Sequence, residues 1–308
     1  MKRAIILAAV LTMVVCTGTD ASAQRKAKKS RLVLDGSAVY VNTQVKATPA
    51  EEKMRVKGKP GIEISPTKTV FLYPQGQNVN QGIVEDGVAV TQGPLVSNGL
   101  KGPETADEWG GIQNITDSAR IDIFIPKNPN GQMVITCPGG GYWGLSTWLE
   151  GTYVAKWMND RGIACVVLKS RLPNGHHQVP LQDVQNAFRY CRHHAKDWGI
   201  KQIGVMGFSA GGHLASTAAT MYVDSTTRPD FAALIYPVIL MDEKATHQGS
   251  VDNLLGGEAS WTGREGKTFT QWYNGLNEYD GLKRMYTTYH DVTPTTPPTF
   301  IGVSTYDK

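Results

Sequence analysis

The sequence predicts an α/β fold in which helices flank a mostly parallel sheet, with an aromatic-rich insertion before the last strand. Apolar, strand-like runs alternate with amphipathic, helix-like stretches from about residue 119 onward, which is the pattern of parallel α/β proteins. The run Met133–Cys137 is apolar enough for a strand that is buried on both faces of such a sheet. A glycine-rich turn follows a strand-like run at residues 207–212. With 308 residues, the chain can form one main domain with an appendage.

The strands follow from the spacing of apolar residues. Ile121, Ile123 and Ile125 alternate with polar residues, which predicts a half-buried strand that Pro126 ends. The later strands coincide with runs of apolar residues bounded by turns or helices. The predicted strands cover residues 119–125, 133–137, 163–168, 203–206, 231–236 and 298–303.

Three helices are predicted between these strands. The first covers residues 149–159 and the third covers residues 210–221. The second begins at Pro180, which suits a first helical turn, and ends before Gly199. One face of it carries apolar side chains, namely Leu181, Val184, Phe188 and Cys191.

The N-terminal segment has the features of a secretory signal peptide. Basic residues precede an apolar run over 4–15, and Ala21-Ser22-Ala23 forms a cleavage site, so we expect residues 1–23 to be removed after Ala23. Residues 24–66 are polar and lysine-rich, which predicts a tail or linker, and 67–308 form the folded domain. We therefore expect a secreted or periplasmic protein.

Charge and hydropathy exclude two classes of partner. The basic run over residues 25–31 has no aromatic residues between its charges, so we expect no nucleic acid to bind there. After the signal peptide no apolar run reaches the roughly 20 residues that a bilayer requires, so we expect no membrane span. The mature chain keeps an odd number of cysteines, namely Cys137, Cys165 and Cys191, which we expect to be buried thiols.

A possible nucleophile stands in the run Gly207-Phe208-Ser209-Ala210-Gly211-Gly212, between a predicted strand and a predicted helix. A serine at such a sharp turn has strained backbone angles, and small residues two positions before and after it leave room for the turn. This is the nucleophile elbow of the α/β-hydrolase fold, with Ser209 as the nucleophile.

A second glycine-rich run, Pro138-Gly139-Gly140-Gly141-Tyr142, directly follows the buried strand 133–137. It is similar to the oxyanion loop of lipases and esterases, with proline in place of histidine. Glycines allow backbone N–H groups to approach a developing oxyanion closely, and each such donor contributes about 3 kcal/mol. We expect the amides of Gly140, Gly141 and Ala210 to form the oxyanion hole.

Taken together, these motifs resemble the bacterial acetylxylan esterase family of α/β-hydrolases, in register from about residue 67 to the end. The segments that carry the resemblance are Cys137–Tyr142, Glu150–Gly151, Lys169–Pro173, Ile203–Ala215 and Val292–Phe300. The resemblance implies removal of acetyl groups from xylan or its oligosaccharides by a Ser-His-Asp triad, without a metal or an organic cofactor. Ser170 stands where this family usually has tyrosine.

The triad is incomplete in this sequence. The fold presents its triad in the chain order serine, acid, histidine, and the acid normally follows the strand predicted at 298–303. Asp307 is the tentative acid, and no histidine follows it. We expect a chain that is truncated at the C-terminus and lacks the triad histidine. The alternative, an earlier histidine acting as the base, stays open, and His213 is expected to have a structural role.

Aromatic residues suggest how a sugar polymer could be held. Tyr142, Trp143 and Trp148 lie in or near the oxyanion loop and are tentative substrate contacts. The insertion over 240–297 adds further aromatic rings, which predict either a sugar-binding lid or the small core of a cap. The sequence thus predicts a serine carboxylesterase acting on acetylated plant polysaccharide. A feruloyl esterase, a prolyl-oligopeptidase-type peptidase and a non-catalytic carbohydrate-binding relative remain as alternatives.

Overall fold

The computed structural model describes residues 64–73, 82–93, 104–107, 110–115, 119–242, 244–256 and 278–304. The predicted signal peptide and nearly all of the predicted tail or linker lie outside these residues. Asp307 and the insertion residues Trp261, Trp272 and Tyr273 also lie outside them, so what the sequence predicts for these positions stays a prediction.

A seven-stranded sheet forms the centre of the described part of the chain. In chain order, the strands of the described residues are β1 (Lys68–Phe71), β2 (Val84–Glu85), β3 (Val88–Ala89), β4 (Thr105–Ala106), β5 (Gly111–Gln113), β6 (Arg120–Phe124), β7 (Gln132–Cys137), β8 (Leu145–Ser146), β9 (Ala164–Lys169), β10 (Gln202–Phe208), β11 (Ala232–Ile235) and β12 (Thr299–Gly302). The order across the main sheet is β1-β6-β9-β7-β10-β11-β12. The last five strands in this order run parallel to one another, whereas β1 and β6 are antiparallel to their neighbours. This confirms the mostly parallel sheet and the α/β-hydrolase fold class.

Helices connect the parallel strands. They are α1 (Tyr153–Asn159), α2 (Gln178–His194), α3 (Ala210–Thr220), α4 (Gln248–Leu255) and α5 (Glu278–Met285). A π-helical segment (Trp148–Thr152) leads into α1, and a 3₁₀ turn (Thr288–Asp291) follows α5. None of the helices in the described ranges combines the length and the apolarity that a membrane crossing requires.

Two predicted helix starts differ from the structure. The segment expected to begin as an α-helix at residue 149 is π-helical up to Thr152. Helix α2 begins at Gln178, so Pro180 is its third residue rather than its first. Proline is tolerated there because the first four N–H groups of a helix have no acceptor within the helix.

Strand β6 is buried on both faces, whereas the alternation predicted a half-buried strand. Ile121 and Ile123 face the core, and Asp122 between them is only 8% exposed. The Asp122 carboxylate forms an ion pair with Lys169 at 2.5 Å and accepts a 2.7 Å hydrogen bond from the Thr69 hydroxyl. The alternating pattern predicted that Asp122 would face solvent. Asp122 can be buried because charged and hydroxyl partners on the neighbouring strands compensate its carboxylate.

Helices α2 and α3 contact each other and pack against β10, and their buried side chains form part of the core. The predicted apolar face of α2 is confirmed, since Val184, Phe188 and Cys191 are each fully buried. The predicted state of the cysteines is also confirmed, because Cys137, Cys165 and Cys191 are buried and unpaired. Burial raises the pKa of Cys165 to about 12, so this thiol stays protonated at neutral pH.

Candidate active site

Ser209 occupies the sharp turn between β10 and α3. Its φ of 52° and ψ of −121° lie in a sparsely populated region for a residue with a side chain. Backbone hydrogen bonds hold this conformation, because Ser209 N donates to the carbonyl oxygen of Ile235 at 3.0 Å. The Ser209 carbonyl oxygen accepts from the amides of His213 at 3.0 Å and Val238 at 3.1 Å. The structure thus shows the strained turn predicted for a nucleophile elbow.

The glycines that flank Ser209 are required by close contacts. A Cβ on Gly207 would overlap the backbone of Gly211, and a Cβ on Gly211 would overlap the carbonyl groups of Cys137 and Pro138. A side chain at Gly211 would push the elbow away from the end of β7, and one at Gly207 would push the first turn of α3 away from β10. The spacing of small residues around Ser209 therefore reflects a steric limit, as the sequence predicts.

The glycine loop after β7 lies against the elbow. Gly140, Gly141 and Tyr142 have φ values of 140°, 62° and 59°, and the loop closes through hydrogen bonds from Trp143 N and Gly144 N to the Gly140 carbonyl oxygen. No protein acceptor among the described residues uses the N–H groups of Gly140, Gly141 and Ala210. These three amides, the predicted oxyanion donors, are therefore available to a ligand.

A buried chain of hydrogen bonds supports this loop. The Tyr142 hydroxyl lies 2.7 Å from His213 Nδ1, and His213 Nε2 lies 2.7 Å from the carbonyl oxygen of Tyr286. Because a carbonyl only accepts, Nε2 carries the proton, and the Tyr142 hydroxyl donates to Nδ1. His213 is fully buried, which confirms its predicted structural role. Tyr142 is only 7% exposed and supports the loop through this hydrogen bond, and its predicted contact with substrate stays a prediction.

The burial of two histidines predicts a loss of stability at acid pH. Burial lowers the pKa values of His213 and His177 from 6.5 to about 4, so both are neutral in the native state at pH 5. As the pH falls from about 6.5 to about 4, the unfolded chain binds protons that the native state excludes. We expect each histidine to lower the free energy of unfolding by about 2–3 kcal/mol over this range.

Urea denaturation at pH 7.0 and pH 4.5 tests this prediction. In His213→Gln the amide can keep both hydrogen bonds but cannot titrate, so we expect a smaller acid loss than in the wild type. His193→Gln is the matched control, because His193 is exposed. Equal acid losses in wild type and His213→Gln would contradict the prediction.

The aromatic side chains predicted to contact substrate differ in exposure. Trp143, which directly follows Tyr142 of the oxyanion loop, is 63% exposed. Trp148 is partly buried, and its ring lies directly against the Gly110 backbone, where a Cβ would overlap it. Of the two tryptophans, Trp143 offers the more accessible ring to a ligand.

The insertion after β11 reaches the oxyanion loop, which the sequence analysis missed. Asn253 Nδ2 donates a 2.9 Å hydrogen bond to the carbonyl oxygen of Gly141. His247 caps α4, and its Cε1 would lie 3.7 Å from a Cβ on Gly141. Ser250 N donates to His247 Nδ1 at 3.2 Å, which directs the Nδ1 lone pair into the helix cap. No sequence signal pointed to these residues, because their contact with Gly141 joins segments that are far apart in the chain.

One group of side chains in the described part of the chain could share a cation. Donor atoms of Glu85, His193 and His194 lie within 4.8 Å of one another. A carboxylate oxygen of Glu85 already lies 2.7 Å from His194 Nε2. The group lies at the C-terminal end of α2, at the opposite edge of the sheet from Ser209. We assign no metal to it.

Comparison with known proteins supports the family resemblance over part of the chain. Residues 121–252 match the BD-FAE family model. Over 149 residues the chain is 44% identical to the acetylxylan esterase of Xylanibacter ruminicola, which covers 47% of this chain and 31% of that protein. Over 139 residues it is 34% identical to endo-1,4-beta-xylanase B of Butyrivibrio fibrisolvens, which covers 40% of this chain and 22% of that protein. The chain therefore spans less than a third of the length of each of these relatives.

Solved structures with a similar chain path include esterases. One is an acetyl ester-xyloside bifunctional hydrolase from Caldicellulosiruptor lactoaceticus, with 31% identity over 60% of this chain and 65% of that chain and a TM-score of 0.47. Another is a thermophilic esterase from Thermogutta terrifontis, with 19% identity over 60% of this chain and 65% of that chain and a TM-score of 0.43.

The parallel sheet, the elbow at Ser209 and the adjacent glycine loop define an α/β-hydrolase fold. Within the matched segment, the chain is a homologue of acetylxylan esterase. The family resemblance drawn from the sequence motifs is confirmed over this segment, which contains the elbow and the glycine loop.

Proposed function

We propose that this protein is a serine carboxylesterase that removes acetyl groups from xylan or xylo-oligosaccharides. The observation that carries the proposal is the juxtaposition of Ser209 with the oxyanion loop. A Cβ on Gly139 would lie 3.0 Å from the Ser209 Cβ, so the loop lies directly beside the nucleophile. The three amides without protein acceptors, those of Gly140, Gly141 and Ala210, belong to this loop and to the first turn of α3.

The proposed reaction proceeds through an acyl-enzyme. Ser209 Oγ attacks the acetyl carbonyl carbon while a general base takes the hydroxyl proton, and the carbonyl oxygen becomes an oxyanion bound by the three amides. The bond between the carbonyl carbon and the sugar oxygen then breaks, and the sugar hydroxyl leaves with that proton. Water attacks the acetyl group on Ser209 in the same way and releases acetate. In this proposal the base is a histidine oriented by Asp307, and neither group lies among the described residues.

The substrate part of the proposal rests on the homologue and on exposure. The X. ruminicola relative is an acetylxylan esterase, and the B. fibrisolvens relative is a xylanase. Trp143 presents an exposed ring beside the loop, where it could stack on a sugar. The proposed export by a signal peptide over residues 1–23 agrees with this substrate, because an insoluble polysaccharide must be hydrolysed outside the cell.

A substrate panel tests the proposed function. Purified full-length protein is incubated with acetylated xylan, methyl ferulate and a proline-containing peptide amide, and acetate, ferulate and amine release are measured separately. We expect acetate release to exceed ferulate release by at least about tenfold in kcat/KM. Preferential ferulate release would favour the feruloyl esterase, amine release would favour the peptidase, and xylan binding without any hydrolysis would favour the non-catalytic relative.

Trp143→Ala tests whether this ring contacts the polymer. We expect KM for acetylated xylan to rise about five- to tenfold, because an aromatic stacking contact of about 1 kcal/mol is lost. KM for p-nitrophenyl acetate should stay unchanged, since this small ester does not reach the ring. Trp157→Ala is the matched control, because Trp157 lies on α1 and stacks on Arg161. An equal change for both esters, or none for xylan, would contradict the assignment of Trp143.

A further inference from the structure

We propose that Glu150 is a positioning residue that holds the oxyanion loop at its working distance from Ser209. Glu150 lies in the π-helical segment before α1, and neither the sequence motifs nor the mechanism above gives it a role. The proposal deepens the proposed function and rests on it for its kinetic part. Its structural part, that Glu150 fixes the loop, stands on the contacts alone.

The carboxylate connects two segments that border the nucleophile. Its Oε2 accepts a 2.6 Å hydrogen bond from the amide of Gly139, the second residue of the oxyanion loop. Its Oε1 accepts a 2.8 Å hydrogen bond from the hydroxyl of Tyr236, the residue directly after β11. The preceding residue, Ile235, is the one whose carbonyl oxygen accepts from Ser209 N. Glu150 therefore joins the loop to the same strand end that holds the elbow.

Glu150 is close to the nucleophile itself. A Cβ on Gly139 would lie 3.0 Å from Glu150 Oε2 and 3.0 Å from Ser209 Cβ, so these two atoms are at most about 6.0 Å apart. The same Cβ would lie 2.5 Å from the carbonyl oxygen of Phe208, which shows that Gly139 touches the elbow backbone. A small displacement of Gly139 would move the amides of Gly140 and Gly141 relative to Ser209.

The backbone around Glu150 is itself fixed. The hydroxyl of Thr136, the second-to-last residue of β7, donates a 2.9 Å hydrogen bond to the Glu150 carbonyl oxygen. Gly151 packs so closely on Val167 that a Cβ there would lie 2.6 Å from a methyl group of that valine. The side chain thus extends from a rigid base toward the loop, which is what a positioning residue requires.

The carboxylate of Glu150 is partly buried, and its hydrogen-bond partners explain why a carboxylate occupies this position. Burial raises the pKa of Glu150, while the hydrogen bonds from Tyr236 and Gly139 act in the opposite direction. In the described part of the chain no lysine, arginine or histidine forms an ion pair with Glu150. The carboxylate therefore carries the cost of burial with only an amide and a hydroxyl as partners. Two acceptor oxygens on one planar group match these two donors, and an amide side chain offers only one acceptor.

The kinetic test compares three variants with the wild-type full-length protein. Glu150→Ala removes the acceptors of both donors, and we expect kcat for p-nitrophenyl acetate to fall about 10- to 100-fold, because misplaced oxyanion donors lose transition-state stabilisation. KM should change by less than about threefold, since the loop acts on the transition state. Tyr236→Phe should lower kcat less, by about three- to tenfold, and the double variant should be no slower than Glu150→Ala within about threefold.

Asp230→Ala is the matched control. Asp230 also accepts from a backbone amide, that of Ile203 at 2.7 Å, and from a side chain, Arg192, at 2.9 Å. It does so at the opposite end of β10 from Ser209, so we expect kcat to stay within about twofold of the wild type. Thermal unfolding of every variant identifies any that fails to fold. If Glu150→Ala folds and keeps full kcat, the positioning role is wrong.

A second measurement does not depend on turnover. Hydrogen–deuterium exchange of peptides covering residues 138–147 should be at least about fivefold faster in Glu150→Ala than in wild type, because the Gly139 amide loses its acceptor. Exchange in Asp230→Ala should rise only near residue 203. If the wild type hydrolyses no ester, the proposed function fails, yet faster exchange in Glu150→Ala still supports the loop-holding role. Unchanged exchange would overturn that role whatever the kinetics show.

Discussion

Ser209→Ala should lower kcat for acetate release by about 10⁵- to 10⁶-fold while the protein stays folded. Removal of a serine nucleophile has an effect of this size because the acyl-enzyme can no longer form. The backbone strain at Ser209, with its φ of 52°, does not depend on the hydroxyl. Alanine has the same Cβ as serine, so we expect the midpoint of thermal unfolding to change by less than about 3 °C. If Ser209→Ala lost both its activity and its folded structure, the lost activity would not identify Ser209 as the nucleophile.

Acetate release and covalent labelling together test this prediction. In the wild type, a fluorophosphonate probe should modify the peptide that contains Ser209, and mass spectrometry should find no modification in Ser209→Ala. Ser225→Ala is the matched control, since Ser225 lies on an exposed loop after α3. Retention of more than about 1% of the wild-type kcat in Ser209→Ala would show that a different group is the nucleophile.

The elements around Ser209 were predictable because their determinants are local. Strand β10, the elbow and α3 follow one another without interruption, and the glycines that the turn requires stand within the same short segment. The buried strand β7 was also predictable, because parallel strands in the middle of a sheet are apolar on both faces. The catalytic framework could therefore be derived from short sequence patterns.

The remainder of the site depends on contacts between distant segments, which no local pattern encodes. Glu150 contacts Tyr236 across a separation of 86 residues, and Asn253 contacts Gly141 across 112 residues. The burial of Tyr142 against His213 depends on how α3 packs on the loop. Exposure of an aromatic ring is a property of the folded chain, and composition alone could not distinguish Tyr142 from Trp143.

The ion pair between Arg171 and Asp183 shows the same limit in the core. The Lys169–Pro173 run was recognised as part of a family motif, but the partner of Arg171 was not predictable from it. In the structure Arg171 and Asp183 have side-chain exposures of 1% and 0%, and the Arg171 Nη2 lies 2.7 Å from Asp183 Oδ1. Asp183 also accepts from the Arg171 amide at 2.8 Å and from the Tyr73 hydroxyl at 2.7 Å. This cluster fixes the segment after β9 onto the first half of α2.

Asp183→Asn should lower the free energy of unfolding by about 3–5 kcal/mol. The substitution keeps the shape of the side chain but removes the negative charge of Asp183 that pairs with the buried guanidinium of Arg171, and neutralising one member of a buried ion pair is strongly destabilising. The Tyr73 ring, 4.6 Å from the guanidinium carbon, offers only a weak interaction in its place. Asp160→Asn is the control, because its ion pair with Lys156 is exposed on α1 and should contribute less than about 0.5 kcal/mol.

Urea denaturation at pH 7.0 measures both variants against the wild type. A loss of less than about 1 kcal/mol in Asp183→Asn would show that water or a backbone shift can compensate Arg171, and that the pair is not essential to the core. If the free energy of unfolding falls strongly in Asp183→Asn and stays unchanged in Asp160→Asn, then the burial of an ion pair determines how much it contributes to stability. In that case Arg171 contributes to this fold mainly through its buried ion pair, which holds the segment after β9 against α2.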